Sequence, residues 1–297
     1  MFKFFTALAF ISGSLILTGQ EGITYQKVIK KITKKTTVKP ALVKNDYFVT
    51  LNNLEMPSPD GDSYRSFLFR QKELAKSDLK LKSQLKSASN SEQEISLGQD
   101  FDLVRYAGNG NMYELYGGIP NDNTIAVSNG GIVLASINSF VYAYDLNSDT
   151  TIFDNQRISL AAMVSGVTGG HYFDPKIIYD PISDRFILVL LKDSNPATNE
   201  IIVCFSTTNN PNDPWNVYYL PGNPLNNNRW TDFPAIALTK DKLYFTGNLI
   251  VPGEPWQTGF DGSIIWEIPT ADGYSGVASL NTELYNDIKH NGSFVRN

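Results

Sequence analysis

The chain has 297 residues, 25 Lys and Arg against 30 Asp and Glu, and a formal net charge of −5. Its one cysteine excludes an internal disulfide, and with two histidines there is no material for an imidazole-rich metal site or Cys-His catalysis. No Gly-x-Ser-x-Gly elbow, Gly-x-x-x-x-Gly-Lys phosphate loop or His-Glu-x-x-His helix occurs, so those mechanisms and nucleotide cofactors lack a recognisable cradle.

Met1-Phe2-Lys3 gives a short positive start, Phe4 to Leu17 is largely apolar, and Thr18-Gly19 supplies a small residue. This pattern predicts a secretory signal peptide over 1–19, cut between Gly19 and Gln20, and hence a secreted or cell-surface protein. The run is shorter than the roughly 20 apolar residues of a membrane span, and no later segment is apolar enough, so no membrane span is expected.

Residues 20–98 carry 14 Lys and Arg against 9 Asp and Glu, whereas residues 99–297 have 10 against 21. The first stretch reads as a basic, solvated leader rather than a nucleic-acid-binding arm. Within it, Leu and Phe spaced among charges over 63–89 predict an amphipathic helix, and the rest reads as linker or loop.

From residue 99 onward, β-branched and aromatic runs alternate with Gly, Asn and Pro turns. Three stretches open on an aspartate before a short apolar strand: Asn121-Asp-Asn-Thr-Ile-Ala-Val, Phe173-Asp-Pro-Lys-Ile-Ile-Tyr and Thr231-Asp-Phe-Pro-Ala-Ile-Ala. Asp122, Asp174 and Asp232 stand 52 and then 58 residues apart. A period near fifty built from short strands predicts an all-β fold of four-stranded propeller blades, about 117–160, 171–222 and 230–285. The runs Ile132 to Ile137 and Phe186 to Leu191, apolar on both faces, suit inner strands sandwiched between neighbours. The third repeat shows three strands clearly, with only the weak run Gly276 to Leu280 as a fourth. Three blades do not close a ring, so an incomplete propeller with an unpaired outer edge is expected. The remainder of a longer chain would close it, and residues 20–297 alone should be poorly soluble or oligomeric.

Pro120 to Val127, Ser139 to Asp145, Phe173 to Arg185, Ser206 to Trp215 and Trp230 to Ala235 together resemble a family of exported bacterial β-propellers of the Bacteroidetes secretion type. The resemblance implies a fold and an exported setting, not a catalytic mechanism. Ser206 to Trp215 is also similar to the aspartate box of sialidase-like propellers, with Thr208 where that box has its aspartate. There the box is structural, which makes Trp215 a packing anchor. Cys204, in an apolar run, reads as a buried small hydrophobe.

The three repeat aspartates are the candidate catalytic residues. Carboxylates at the starts of inner strands converge near one mouth of a propeller, where a pair suits glycoside hydrolysis. The structural alternative is an Asx-type turn repeated because the blade repeats. Asp145, Asn147 and Asp149 match the first ligand positions of a Ca²⁺ loop, but Thr150 and Gln156 depart from it, so a hairpin turn is the stronger expectation and no metal or other cofactor is assigned. Arg229, Trp230 and Trp256 are the candidate ligand contacts, on loops where an aromatic face can stack on a sugar. The expectation is a non-catalytic binding or surface-display module for glycan or protein ligands, without nucleic acid, and a glycoside hydrolase is the alternative.

Overall fold

Three antiparallel sheets lie face to face. The computed structural model describes residues 15–18, 22–40, 70, 122–138, 140–153, 158–165, 171–254 and 258–296. The chain divides into one unit of Met1–Phe48 with Tyr116–Asn297 and another of Val49–Leu115. Everything below concerns the first. The expected helix over 63–89 and the contact Trp256 lie outside the described residues, apart from Arg70.

The N-terminal strands are β1 (Leu15–Thr18) and β2 (Ile23–Val38). The first repeat contributes β3 (Thr124–Val127), β4 (Ile132–Ser136), β5 (Phe140–Asp145) and the two-residue strands β6 (Thr150–Thr151) and β7 (Ile158–Ser159), followed by the short helix α1 (Leu160–Ser165). The second contributes β8 (Tyr172–Asp180), β9 (Arg185–Lys192), β10 (Glu200–Ser206) and β11 (Trp215–Pro221). The third contributes β12 (Trp230–Leu238), β13 (Lys242–Ile250), β14 (Phe260–Pro269), the helix α2 (Thr270–Ser275), β15 (Ser279–His290) and the short β16 (Ser293–Phe294).

The second and third repeats are four-stranded meanders, β8-β9-β10-β11 and β12-β13-β14-β15. Short turns fix their registers. At β8–β9, Asp180 Oδ1 accepts the amides of Ile182 and Ser183, and the left-handed Asp184 (φ 52°) completes the reversal. The fourth strand of the third repeat is β15, which starts at Ser279, beyond most of the weak run expected to supply it.

The middle sheet is covered on both faces, as its unbroken apolar strands require. Every residue from Phe186 to Leu191 and from Ile201 to Phe205 is fully buried. Ile187, Val189, Leu191, Val203 and Phe205 pack toward Leu243, Phe245, Ile264 and Trp266 of the third repeat. Phe186, Leu188, Leu190, Ile202 and Cys204 pack toward Leu134, Val141, Ala143 and Met163 of the first. A period of two thus divides one strand between two cores. Burial pushes the Cys204 thiol far above its ordinary range, which leaves it inert.

The outer edges differ from the sequence expectation. The third repeat's outer strand is not left unpaired: β15 pairs with β2 from Ser279↔Thr33 to His290↔Ile23. The same strand β2 runs on to pair with the outer strand of the second repeat, from Tyr218↔Lys34 to Trp215↔Val38. Residues 23–38, placed by sequence in a solvated leader, are therefore a strand that joins two sheets into one eleven-stranded path. Its alternation is masked by lysines, yet Ile32 and Val38 are buried. The described strands form no closed barrel.

Candidate functional site

The first strands of the three repeats lie side by side, with β8 between β3 and β12. A hydrogen bond from Ile177 N to Thr124 Oγ1 (3.0 Å) ties β8 to β3. Asparagines of the hairpins between second and third strands reach the first strand of the next repeat. Asn138 Oδ1 accepts Asp174 N at 2.6 Å, and Asn199 Oδ1 accepts Thr231 N at 2.8 Å.

Two of these first strands carry a bulge near their start. In β8 the register steps from Phe173↔Leu191 to Lys176↔Val189, so Asp174-Pro175 oppose one residue. In β12 it steps from Asp232↔Asn248 to Ala235↔Thr246, so Phe233-Pro234 oppose one residue. Proline suits a bulge because it has no amide to donate. The residue before it is left-handed in both, with φ 51° at Asp174 and 54° at Phe233, and Asp122 has φ 42° in the first repeat. The structurally equivalent residues are therefore Asp122, Asp174 and Phe233. Asp232 sits one place earlier, in the position that Phe173 holds in β8. The three aspartates are not copies of a single scaffolding position.

Their carboxyl groups nonetheless converge. Burial, the charges of Asp232 and Asp122, and a hydrogen bond shared with Asp122 push the Asp174 carboxyl up to about 7, against a weaker opposing pull from Lys176. Burial and the Asp122 charge also raise Asp232, while the amide of Phe233 works the other way. Oδ2 of Asp122 is buried and has no hydrogen-bond partner among the described residues. No group of three or more His, Cys, Asp or Glu among those residues is arranged to hold a metal ion.

A polar cleft of about 450 Å³, which none of the three aspartates lines, opens between the β9–β10 hairpin and the loop after β11, lined by Lys192, Asp193, Asn199, Glu200, Asn223 and Asn226 among others. Lys192 pairs with Tyr172, and Asp193 N donates to His171 O at 2.9 Å, which places the cleft at the same end of β8 as Asp174. Lys192 and Glu200 form an ion pair at 2.8 Å on its wall. None of the cleft residues stood out in the sequence, because hairpin loops rich in Asn and Pro signal a turn and not a recess.

The remaining candidates are engaged by the protein itself. Arg229 pairs through Nε with Asp261 Oδ2 at 2.7 Å and donates through Nη1 to the carbonyls of Asn227 and Asn228. Trp230 is half-buried and packs on the core shared by the second and third repeats. Asp145 accepts Asn147 N at 2.9 Å and Ser148 Oγ at 2.9 Å, and Tyr144 donates to Asp149, so the 145–149 carboxylates serve a hairpin. Asp145 is held below the usual carboxylate range, first by the Asn147 amide. Trp215 is fully buried, with Nε1 donating to Pro211 O at 2.9 Å.

No protein-family model, curated protein or solved structure matches this chain.

Proposed function

We propose that the chain is an exported β-propeller-type binding module that takes a hydroxyl-rich ligand, a glycan in the first instance, at the end of the sheets where Asp122, Asp174 and Asp232 meet. One observation carries the reading: carboxyl groups from three repeats act on one another, Asp122 and Asp174 from equivalent positions and Asp232 from one place earlier in its repeat. Scaffolding devices recur in register, as the bulges do, and Asp232 breaks that register. The charges oppose one another, so their proximity costs stability, a common feature of groups kept for recognition or chemistry. Carboxylates accept hydrogen bonds from sugar hydroxyls, and the cleft at the same end of β8 adds Asn, Lys and Glu side chains for the same purpose. The signal-peptide pattern of 1–19 supports an extracellular setting for such a ligand.

Calorimetric titration of the purified chain against a panel of soluble oligosaccharides tests the reading. Saturable binding that Asp174→Asn or Asp232→Asn weakens by tenfold or more is the expected result. A panel without binding, or binding indifferent to both substitutions, removes the aspartates from function.

A specific observation also favours a glycoside hydrolase. Asp174, held protonated to about 7, has the property of a general acid. Asp232, whose charge bears on Asp174 more than that of Asp122 does, would be the second carboxyl of the pair such a reaction needs. Turnover of chromogenic glycosides that is lost in both Asp174→Asn and Asp232→Asn, but not in Asp122→Asn, would decide for catalysis.

A further inference from the structure

Residues 23–33 of β2 pair with β15 along one edge. The opposite edge is covered at only one place, where β1 pairs antiparallel from Leu15↔Lys27 to Thr18↔Thr24. Along residues 28–33 no other strand pairs there among the described residues. All of β1 falls inside the segment whose sequence reads as a signal peptide, and the cut between Gly19 and Gln20 separates β1 from β2. Removal of 1–19 therefore leaves no strand among the described residues on that edge from residue 23 to residue 33.

The strand is unusual in chemistry as well as in position. Residues 23–38 contain five lysines and no Asp or Glu. Lys27 is held by Glu283 at 2.6 Å and Lys30 donates to Pro224 O at 3.2 Å, whereas Lys31 is exposed. Ile29, on the same strand face as Lys31, is 74% exposed, the largest value among the exposed large apolar side chains described. An isolated exposed isoleucine is ordinary on a surface, but on an open strand edge it is an anchor for a pairing strand.

We propose that the free edge of β2 docks an extended, acidic segment of a partner protein, which adds to the sheet as one more antiparallel strand. The backbone amides and carbonyls of 23–33 supply the ladder, Ile29 packs against an apolar residue of the incoming strand, and Lys31 meets its carboxylates. The present occupant, β1, shows that this edge accepts an antiparallel strand. Charge complementarity selects the partner: a second copy of residues 23–33 would bring three more lysines to the same edge, a common device against self-pairing. The opening at residues 24–27 rests on the secretory reading. The edge at 28–33 does not.

The full chain is expressed in an exporting host, and its intact mass reports whether 1–19 has been removed. Fluorescence anisotropy then measures binding of two labelled peptides, ten residues of alternating Glu and Val and ten of alternating Lys and Val. The processed chain is expected to bind the Glu/Val peptide at least tenfold more tightly, with affinity falling as salt rises. Lys31→Glu should weaken that binding at least fivefold without moving the Tm, and Ile29→Asp should weaken it further. Equal binding of the two peptides, or binding of neither, overturns the proposal. Association of the chain with itself that Ile29→Asp abolishes also overturns it, and gives the edge to a second copy. A chain that retains 1–19 fails the secretory reading alone. Six-residue Glu/Val and Lys/Val peptides then test the 28–33 edge in that chain, under the same criteria.

Discussion

Asn199 and Thr231 join two sheets through a side chain that is only 4% exposed and fully used. Its Oδ1 accepts Thr231 N at 2.8 Å, and its Nδ2 donates to the carbonyls of Lys192 and Asp193 at 3.1 and 2.6 Å. Replacing Asn199 with Ala removes the side-chain acceptor of the buried Thr231 amide and the side-chain donor to two part-buried carbonyls. The expected loss is about 2–4 kcal/mol in denaturant unfolding. Asn199→Asp, which keeps the acceptor and loses the donor, should fall no less far, because two carbonyls then face a buried charge.

Gly222 guards that contact. A Cβ there would stand 2.7 Å from the Asn199 carbonyl carbon and closer still to its side chain. Gly222→Ala is expected to lower the unfolding midpoint by an amount comparable to Asn199→Ala. The double variant should cost less than the sum of the two, a non-additivity that a double-mutant cycle reads directly.

Between the second and third repeats the helix α2 makes an equally close approach. A Cβ at Gly273 would meet three atoms of the Phe205 ring at 2.5–2.6 Å. Gly273→Ala should destabilise by roughly 1–3 kcal/mol through overpacking. Phe205→Leu, itself destabilising, should tolerate the added methyl far better than Phe205 does. Thermal unfolding of the four chains checks both statements.

The pH dependence of stability follows from Asp174. Its carboxyl titrates near 7 in the folded chain and near 3.8 when unfolded, so between these values the folded state binds the extra proton. Stability from this group is therefore present at low pH and declines as pH rises through that window. The difference amounts to on the order of 4 kcal/mol. Asp174→Asn should raise the Tm at pH 8 and flatten the Tm profile between pH 5 and 8. A wild-type profile that is already flat would show that the three charges are not in opposition.

Two buried tryptophans make a contrasting pair. Trp215 Nε1 donates to Pro211 O, whereas Trp266 Nε1 has no partner among the described residues. Trp215→Phe leaves the Pro211 carbonyl without its donor and should cost about 1–3 kcal/mol from that source. Trp266→Phe loses volume but relieves an unsatisfied donor, and is expected to cost less. Chemical denaturation of the two variants ranks them.

The sheet content was legible because an inner strand buried on both faces has no polar positions at all, as Phe186 to Leu191 shows. The register of the site was not. Aligning the repeats on aspartate pairs Asp174 with Asp232, but the backbone aligns on Pro175 and Pro234, where each bulge needs a residue without a donor. That places Phe233 where the earlier repeats have aspartate. A second local pattern also went unread: Tyr144-Asp-Leu-Asn-Ser-Asp149 and Tyr179-Asp-Pro-Ile-Ser-Asp184 make the same hairpin, with the tyrosine hydroxyl on the last aspartate and the first aspartate on a turn amide. The strand β2 was hidden for a different reason. Its lysines mimic a solvated leader, and its partners lie more than 170 residues away, beyond any local signal.

That distance sets an order of events during synthesis. Lys27 leaves the ribosome 258 residues ahead of its ladder partner Tyr285. The second meander forms from neighbours in sequence and can seat residues 34–38 of β2, whereas residues 23–33 lack their β15 partner until residues 279–290 have emerged. Closing so long a loop is slow, and until it happens the first strand made is the last to be protected. A ribosome stalled before codon 279 should hold a chain with a native-like second meander and a protease-sensitive 23–33 segment, and protection of that segment should appear only once residues 279–290 have emerged.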